Sequence, residues 1–264
     1  MIRTCILLAA LHAVPAIAST QDDVLAGSFL SGWQMPNGAH MAGLQLNLAP
    51  GWKTYWRSPG DAGIPPSFDW SGSTNVRSIE IHWPAPTVFH TNGMQSIGYH
   101  DAVILPIEVT AIDPTKPMHL AAQIDLGVCD KICLPASLSL STDLLPPGAP
   151  DALISAALDQ RPATASEAGV SAVACVVDPI ADGLRVTATI SLPDRGGDEV
   201  VAFETADPSV WVAESLEGRK GKSLIAVTEM VDHSGVPFAL DRSAITITVL
   251  SNDQAVEIRG CPAP

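Results

Sequence analysis

Short runs in which every second residue is apolar recur along this chain, and Pro- and Gly-rich segments separate them. In "AGLQLNLAP", Leu44, Leu46 and Leu48 fall on one face and Gly43, Gln45 and Asn47 on the other. "LAAQIDL" and "SLSLSTDL" alternate likewise, and "SPGDAGIPP", "WSGS" and "WPAP" supply turns. Successive side chains of a strand point to opposite faces, so this pattern builds strands with one buried face. Regular turn signals between such strands argue for antiparallel sandwiches and against an α/β fold.

The texture changes around residues 144–168. "LLPPGAP" is a stiff break, "DALISAALDQ" suits a short helix starting near Asp151, and "RPATASEAG" is small and polar. Strand-like runs then resume in "VSAVACVV", "LRVTATISL", "EVVAFET", "SLIAVTEMV" and "AITITVL". The expected organisation is all-β: two antiparallel β-sandwich domains, residues 19–145 and 165–264, joined by a Pro-rich linker over 146–164 with one short helix. The 264 residues are enough for two ordinary domains.

The first eighteen residues, "MIRTCILLAALHAVPAIA", read as a secretory signal peptide. Arg3 gives the positive start, Ile6 to Val14 the apolar stretch, and Ala16-Ile17-Ala18 the cleavage site. The apolar run is shorter than the ~20 residues a spanning helix needs. The expectation is an exported, periplasmic protein that does not itself span the membrane, in a compartment where disulfides persist. Its formal charge of -14 repels phosphate backbones, which argues against nucleic acid as a partner.

Cys5 lies within the signal, leaving Cys129, Cys133, Cys175 and Cys261, for which three pairings exist. A link between Cys175 and Cys261 brackets the second domain and closes 87 residues, worth roughly 4.6 kcal/mol on the chain-entropy model. A link between Cys129 and Cys133 closes five residues, worth roughly 2 kcal/mol. The long link is a sensible structural disulfide and the short one a poor staple. In an extended strand the Cα atoms of Cys129 and Cys133 would lie ~13 Å apart, whereas a disulfide needs about 4.4–6.8 Å. "CDKIC" must therefore turn tightly, with Gly127 before and Pro135 after as candidate turn residues. A bridge that adds little stability to a surface turn fits a reversible redox couple. Lys131 would favour a thiolate there and Asp130 would oppose it.

A zinc site is disfavoured because four ligands are needed and no second paired motif exists. Copper(I) is the alternative, with the two thiols joined by His90, His100, Met94 or Met118. Copper chaperones of the Sco type carry a similar spacing on βαβ units, which are not evident around this pair. Trp52, Trp56 and Trp70 read as core or sheet-edge packing, Asp61 as a turn residue, and His82, His90 and His100 as ordinary polar positions.

Three segments together resemble the amino-terminal periplasmic domain of DsbD-type protein-disulfide reductases, most closely the ScsB-like branch. They are "PGWKTYWRSPGDAGIPPSFDW" (50–70), "GYHDAVILPIEV" (98–109) and "LGVCDKICLPA" (126–136). The second domain, closing on "QAVEIRGCP", resembles the extra sandwich of the ScsB-like members. The resemblance implies immunoglobulin-like sandwiches and a cysteine pair that takes electrons and delivers them to thioredoxin-like periplasmic proteins. It makes Cys133 the interchange residue and Cys129 its mate, places Tyr55 beside them, and calls for neither cofactor nor metal. It also implies a cap loop, "PTVFHTNGMQSIGYH" (86–100), with Phe89 as the shielding aromatic; gating by such a loop would require it to move, with Gly93 and Gly98 as hinges. Thr87 and Val88 stand where the DsbD type has an acidic pair before its cap aromatic. The sequence shows neither the eight-helix membrane relay nor the thioredoxin domain of full-length relatives, so a separate membrane electron relay of the DsbD/ScsB kind is an expected partner.

Overall fold

The structure is a computed structural model that describes residues 20–264 apart from Asn92 and Asp253. The signal peptide expected over residues 1–18 lies outside the described residues. No helix among the described residues is long and apolar enough to cross a membrane.

After a four-residue helix α1 (Gln21–Val24), the first half of the chain runs through ten strands. These are β1 (Leu25–Gln34), β2 (His40–Leu48), β3 (Lys53–Tyr55), β4 (Ser67–Asp69), β5 (Val76–Ile81), β6 (Thr87–Thr91), β7 (Met94–His100), β8 (Ala102–Ala111), β9 (Met118–Cys129) and β10 (Cys133–Leu144). One sheet has the order β1-β2-β8-β5 and the other β10-β9-β3-β7-β6, with β4 also on β9. All pairings here are antiparallel. The alternation seen in the sequence is what closes this sandwich: Leu44 and Leu46 from β2 and Leu120, Ile124 and Val128 from β9 point into one core.

Helix α2 (Ala152–Asp159) follows, with the Asp151 carboxylate accepting from the backbone N–H groups of Leu153 and Ile154. That N-cap satisfies donors a helix start otherwise leaves open. The helix lies on the first sandwich: Ile154 is buried, and a Cβ on Gly43 would come within 2.9 Å of its Cγ1. Gly43, on the face the alternation assigns to solvent, is thus covered by the helix from the Pro-rich stretch.

The second half contains β11 (Ala163–Thr164), β12 (Ala172–Pro179), β13 (Leu184–Ser191), β14 (Val200–Glu204), β15 (Trp211–Val212), β16 (Leu216–Lys220), β17 (Ser223–Val231), β18 (Thr246–Ser251) and β19 (Gln254–Arg259). Its sheets are ordered β11-β19-β18-β14 and β12-β13-β17-β15, with β16 also on β17. The short β11 pairs in parallel with β19, a departure from the antiparallel expectation. Cys175 on β12 and Cys261 just after β19 are bonded, with Cα atoms 5.4 Å apart, and both are buried in this core.

The two sandwiches share a joint. β14 is "VVAFE": Val201 and Phe203 enter the second core, while Val200 and Ala202 face the buried cluster of the first. A continuous apolar run suits a strand buried on both faces. Beside it the Arg57 guanidinium reaches Glu204 at 2.8 Å and Glu257 at 3.0 Å. Arg57 lies two residues past the end of β3, so this joint and the cysteine pair hang on one short piece of chain.

Candidate functional site

Cys129 ends β9 and Cys133 begins β10, and the two are register partners at the closed end of a β-hairpin. Three residues, Asp130 to Ile132, make the turn, with the Asp130 N–H donating to the Ile132 carbonyl at 3.0 Å. The sulfurs are bonded and the Cα atoms lie 4.1 Å apart. Gly127 and Pro135 are not the turn residues that the sequence suggests. They sit opposite each other inside the strands, two positions back from the cysteines. Pro135 is tolerated because β10 is the outer strand of its sheet, where a missing N–H need not break a ladder bond.

The two cysteines differ in exposure. Cys129 is 1% exposed, whereas Cys133 is open to solvent, next to an exposed Ile132. β3 lies beside β9, with Lys53 opposite Cys129 and Thr54 opposite Val128. The Thr54 hydroxyl donates to the Gly127 carbonyl at 3.0 Å and fixes this short strand in place. Alternation then puts Lys53 and Tyr55 on the cysteine face. The Tyr55 hydroxyl donates to Cys129 Sγ at 3.0 Å and stands 3.8 Å from Cys133 Sγ. Burial pushes the Tyr55 phenol above its ordinary range, so it keeps its proton and remains a donor through neutral pH.

Glycines make this packing possible. A Cβ on Gly127 would come 2.9 Å from Ile64 Cβ and 3.2 Å from Tyr55 Cε2, so its absence admits the Tyr55 ring against β9. Gly98 has a comparable role on the other side. A Cβ there would lie 2.0 Å from the Thr54 carbonyl oxygen. Its place is a close strand contact inside β7, opposite Tyr55 on β3, where only glycine lets the two backbones approach.

The segment expected as a cap loop is a β-hairpin, β6 and β7, in which Thr91 pairs with Met94. Between them Gly93 has φ +79, a left-handed turn conformation that glycine adopts without strain. Phe89, on outermost β6, lies with its ring centroid 4.9 Å from Lys53 Nζ and 6.2 Å from the His100 ring. It thus stands over the ammonium of Lys53, whose strand position is opposite Cys129.

Among the described residues no group of three or more His, Cys, Asp or Glu is placed to hold a metal ion. The residues offered for copper are not gathered. Met118 is buried at the opposite end of β9 from Cys129, and Met94 and His100 lie at opposite ends of β7. Trp56 is fully buried, Trp52 and Trp70 pack against the first core, and Asp61 lies in a turn. His82 hydrogen-bonds to Glu108 at 3.2 Å, and His90 is exposed on β6.

Lys53 and Arg57 were both present in the "GWKTYWR" motif, but nothing in the letters marks them. Only strand register shows that Lys53 faces Cys129, and only tertiary packing brings Arg57 to acids 147 and 200 positions away.

No curated protein sequence is significantly similar to the chain. Among solved structures it is similar to the N-terminal periplasmic domain of ScsB from Proteus mirabilis, with a TM-score of 0.69 and 24% identity, covering 94% of this chain and 96% of that one. A protein of unknown function from Porphyromonas gingivalis W83 is aligned over 89% of this chain and 99% of its own, but at 14% identity and a TM-score of 0.23. The first likeness establishes the shared fold over both sandwiches, and the second carries no weight. Residues 21–144, the part that holds the cysteine hairpin, β3 and the β6–β7 hairpin, match the family "Thiol:disulfide interchange protein DsbD, N-terminal", and the first sandwich is a domain of that family.

Proposed function

We propose that the protein is a periplasmic thiol–disulfide interchange module, a component of protein-disulfide reduction that works through Cys129 and Cys133. It would take electrons from a separate membrane relay of the DsbD/ScsB kind, or from a thioredoxin-like donor, and pass them to thioredoxin-like periplasmic acceptors. The observation that carries this reading is one bridge with unequal ends, an exposed Cys133 bonded to a buried Cys129 whose sulfur accepts from Tyr55.

Exchange requires in-line access of a thiolate to one sulfur. In the delivering direction the Cys133 thiolate attacks the acceptor's disulfide, forming a mixed disulfide and releasing one acceptor thiolate. The Cys129 thiolate then attacks Cys133 Sγ, re-forming the bridge and releasing the second acceptor thiolate. Two electrons pass to the acceptor, and its two thiolates take protons from water. Loading runs the same steps in reverse, with Cys129 as leaving group. The Phe89 ring over this face would limit access by bystander thiols until a partner displaces it.

The test is a trapping experiment with thioredoxin-like periplasmic proteins. Cys129→Ser should accumulate the mixed disulfide, because the resolving thiol is gone, and Cys133→Ser should form none. Equal trapping by the two variants would remove the assignment of roles, and no trapping by either would remove the interchange reading.

A further inference from the structure

Lys53 is a cation on the strand beside the couple, with no carboxylate at ion-pair distance among the described residues. It is half-buried, and its register partners are Cys129 on β9 and His100 on β7. Side chains directly opposite across an antiparallel pair have Cβ atoms about 5 Å apart, so Lys53 and Cys129 start as neighbours on one face. The Lys53 ammonium donates to Ser96 Oγ at 3.0 Å and lies 4.9 Å from the Phe89 ring centroid and 6.0 Å from that of Tyr55. Each of these partners is neutral, and no carboxylate pairs with Lys53 among the described residues. Holding a cation out of water with neutral partners costs free energy that a nearby anion would offset.

The chemistry supplies such an anion. Opening the bridge puts negative charge on sulfur, and among the described residues the buried Cys129 sulfur has only Tyr55 as a hydrogen-bond donor in the oxidised state. We propose that Lys53 is the charge-compensating positioning residue of the couple, its ammonium, held by Ser96 and Phe89 on the β7 and β6 side of β3, acting across that short strand to stabilise the thiolate of Cys129 once the bridge opens. The inference rests on the interchange reading, and it assigns to a cation on β3 a control of the couple's redox balance.

The other charged groups near this place include Glu214 of the second sandwich, whose carboxylate lies beside Gly60 and Ser96 and close to Asp61 and His90 without reaching ion-pair distance of Lys53. His100 stands on β7 with its Nδ1 2.6 Å from Asp101, and His90 lies exposed on β6. Asp130 and Lys131 occupy the hairpin turn, where the Asp130 carboxylate lies near Gly51. Tyr55 retains its proton. Burial draws the Lys53 ammonium below the ordinary lysine range, and a thiolate beside it would act in the opposite direction.

Full-length Lys53→Met and Lys53→Arg variants test this, with the pair selectively reduced. Two quantities are read: the pH midpoint of thiolate formation by ultraviolet absorbance, and the share of reduced pair at a fixed glutathione ratio. Lys53→Met should raise the first midpoint by about one pH unit. It should also lower the reduced-to-oxidised ratio by about tenfold at a pH above both midpoints, the equivalent of that unit. Lys53→Arg, which keeps the charge, should stay close to the parent. The proposal is overturned if Lys53→Met leaves both quantities unchanged, or if Lys53→Arg loses as much as Lys53→Met. It is also overturned if Lys53→Met merely matches Phe89→Ala, with faster alkylation at every pH and an unmoved midpoint, since Lys53 would then act only by holding the ring. Neither readout uses a protein partner, so a failure here is distinct from a failure to trap thioredoxin-like proteins.

Discussion

The two sandwiches each carry one disulfide, and the two bonds are built for opposite ends. Cys175–Cys261 spans 86 positions, and both of its residues are at most 1% exposed. Its backbone is tied in as well: the Cys175 N–H donates to the Pro262 carbonyl at 2.7 Å, and Arg242 donates to the Cys175 carbonyl at 2.7 Å. Cys129–Cys133 spans four positions, closes a hairpin already held by strand pairing, and leaves one of its two residues exposed. Loop length governs what a bridge adds to stability, and access governs whether it exchanges. One chain thus separates the two properties between its halves.

The largest expected difference is in reactivity. Brief treatment of the folded protein with a mild dithiol should open Cys129–Cys133 at least ~100-fold faster than Cys175–Cys261, because only the former offers a sulfur to in-line attack. Alkylation followed by peptide mapping reads both bonds at once. Comparable rates would break the comparison.

Stability should show the reverse order. Replacing Cys175 and Cys261 together by alanine should cost about 2–5 kcal/mol in urea unfolding. Replacing Cys129 and Cys133 together should cost no more than about 2 kcal/mol, the chain-entropy value for five residues. If the short bridge proves the more costly to lose, it is a staple, and its exposure says nothing about use.

Phe89→Ala sharpens the contrast within the first sandwich. Alkylation of the reduced pair should rise several-fold, with the melting curve little changed, because the Phe89 ring is only partly buried on the outermost strand. A loss of roughly 3–5 kcal/mol would instead mark Phe89 as a core residue. An unchanged alkylation rate would remove its capping role.

Much of this contrast was legible in the letters, for identifiable reasons. Alternation in "AGLQLNLAP" fixes which face of β2 is buried, since period two is a property of any strand. The ~13 Å span of an extended five-residue stretch, set against the reach of a disulfide, forces the turn between Cys129 and Cys133. What failed was the reading of residues whose meaning depends on the neighbouring strand. Gly127 and Pro135 look like turn formers, but one is a gap for Tyr55 and the other an edge-strand position. The segment from Pro86 to His100 read as a loop because β6, at the sheet edge, is half-exposed on both faces and shows no clear alternation of burial. Its "NG" dipeptide was the available hairpin signal. Lys53 carries no local signal at all, since its importance lies in standing opposite Cys129.

The smallest expected effect isolates the donor on the buried sulfur. Tyr55→Phe keeps the ring that fills the space beside Gly127 and removes only the hydroxyl that donates to Cys129 Sγ. In the oxidised protein that bond joins two neutral groups, so its loss should cost only about 0.5–1.5 kcal/mol of stability. In the reduced protein a thiolate would accept it, and bonds to charged groups are worth about 1.5–3 kcal/mol. The difference, about 1 kcal/mol, falls on the reduced state. Burial keeps the phenol protonated well into alkaline pH, so the donor is present wherever a thiolate exists, and the effect should appear as pH rises through thiolate formation. At a fixed glutathione ratio the reduced-to-oxidised ratio should fall about fivefold above the pH of thiolate formation. Below the pH of thiolate formation the variant and the parent should converge, because no charged acceptor remains. A deficit that persists in acid would mean that the hydroxyl holds the hairpin in shape and is not tuned to the charge on sulfur. The corresponding contact in the second sandwich, Arg242 on the Cys175 carbonyl, meets backbone and not sulfur. Arg242→Met should therefore leave the potential of the Cys129–Cys133 couple unchanged, which makes it the matched control.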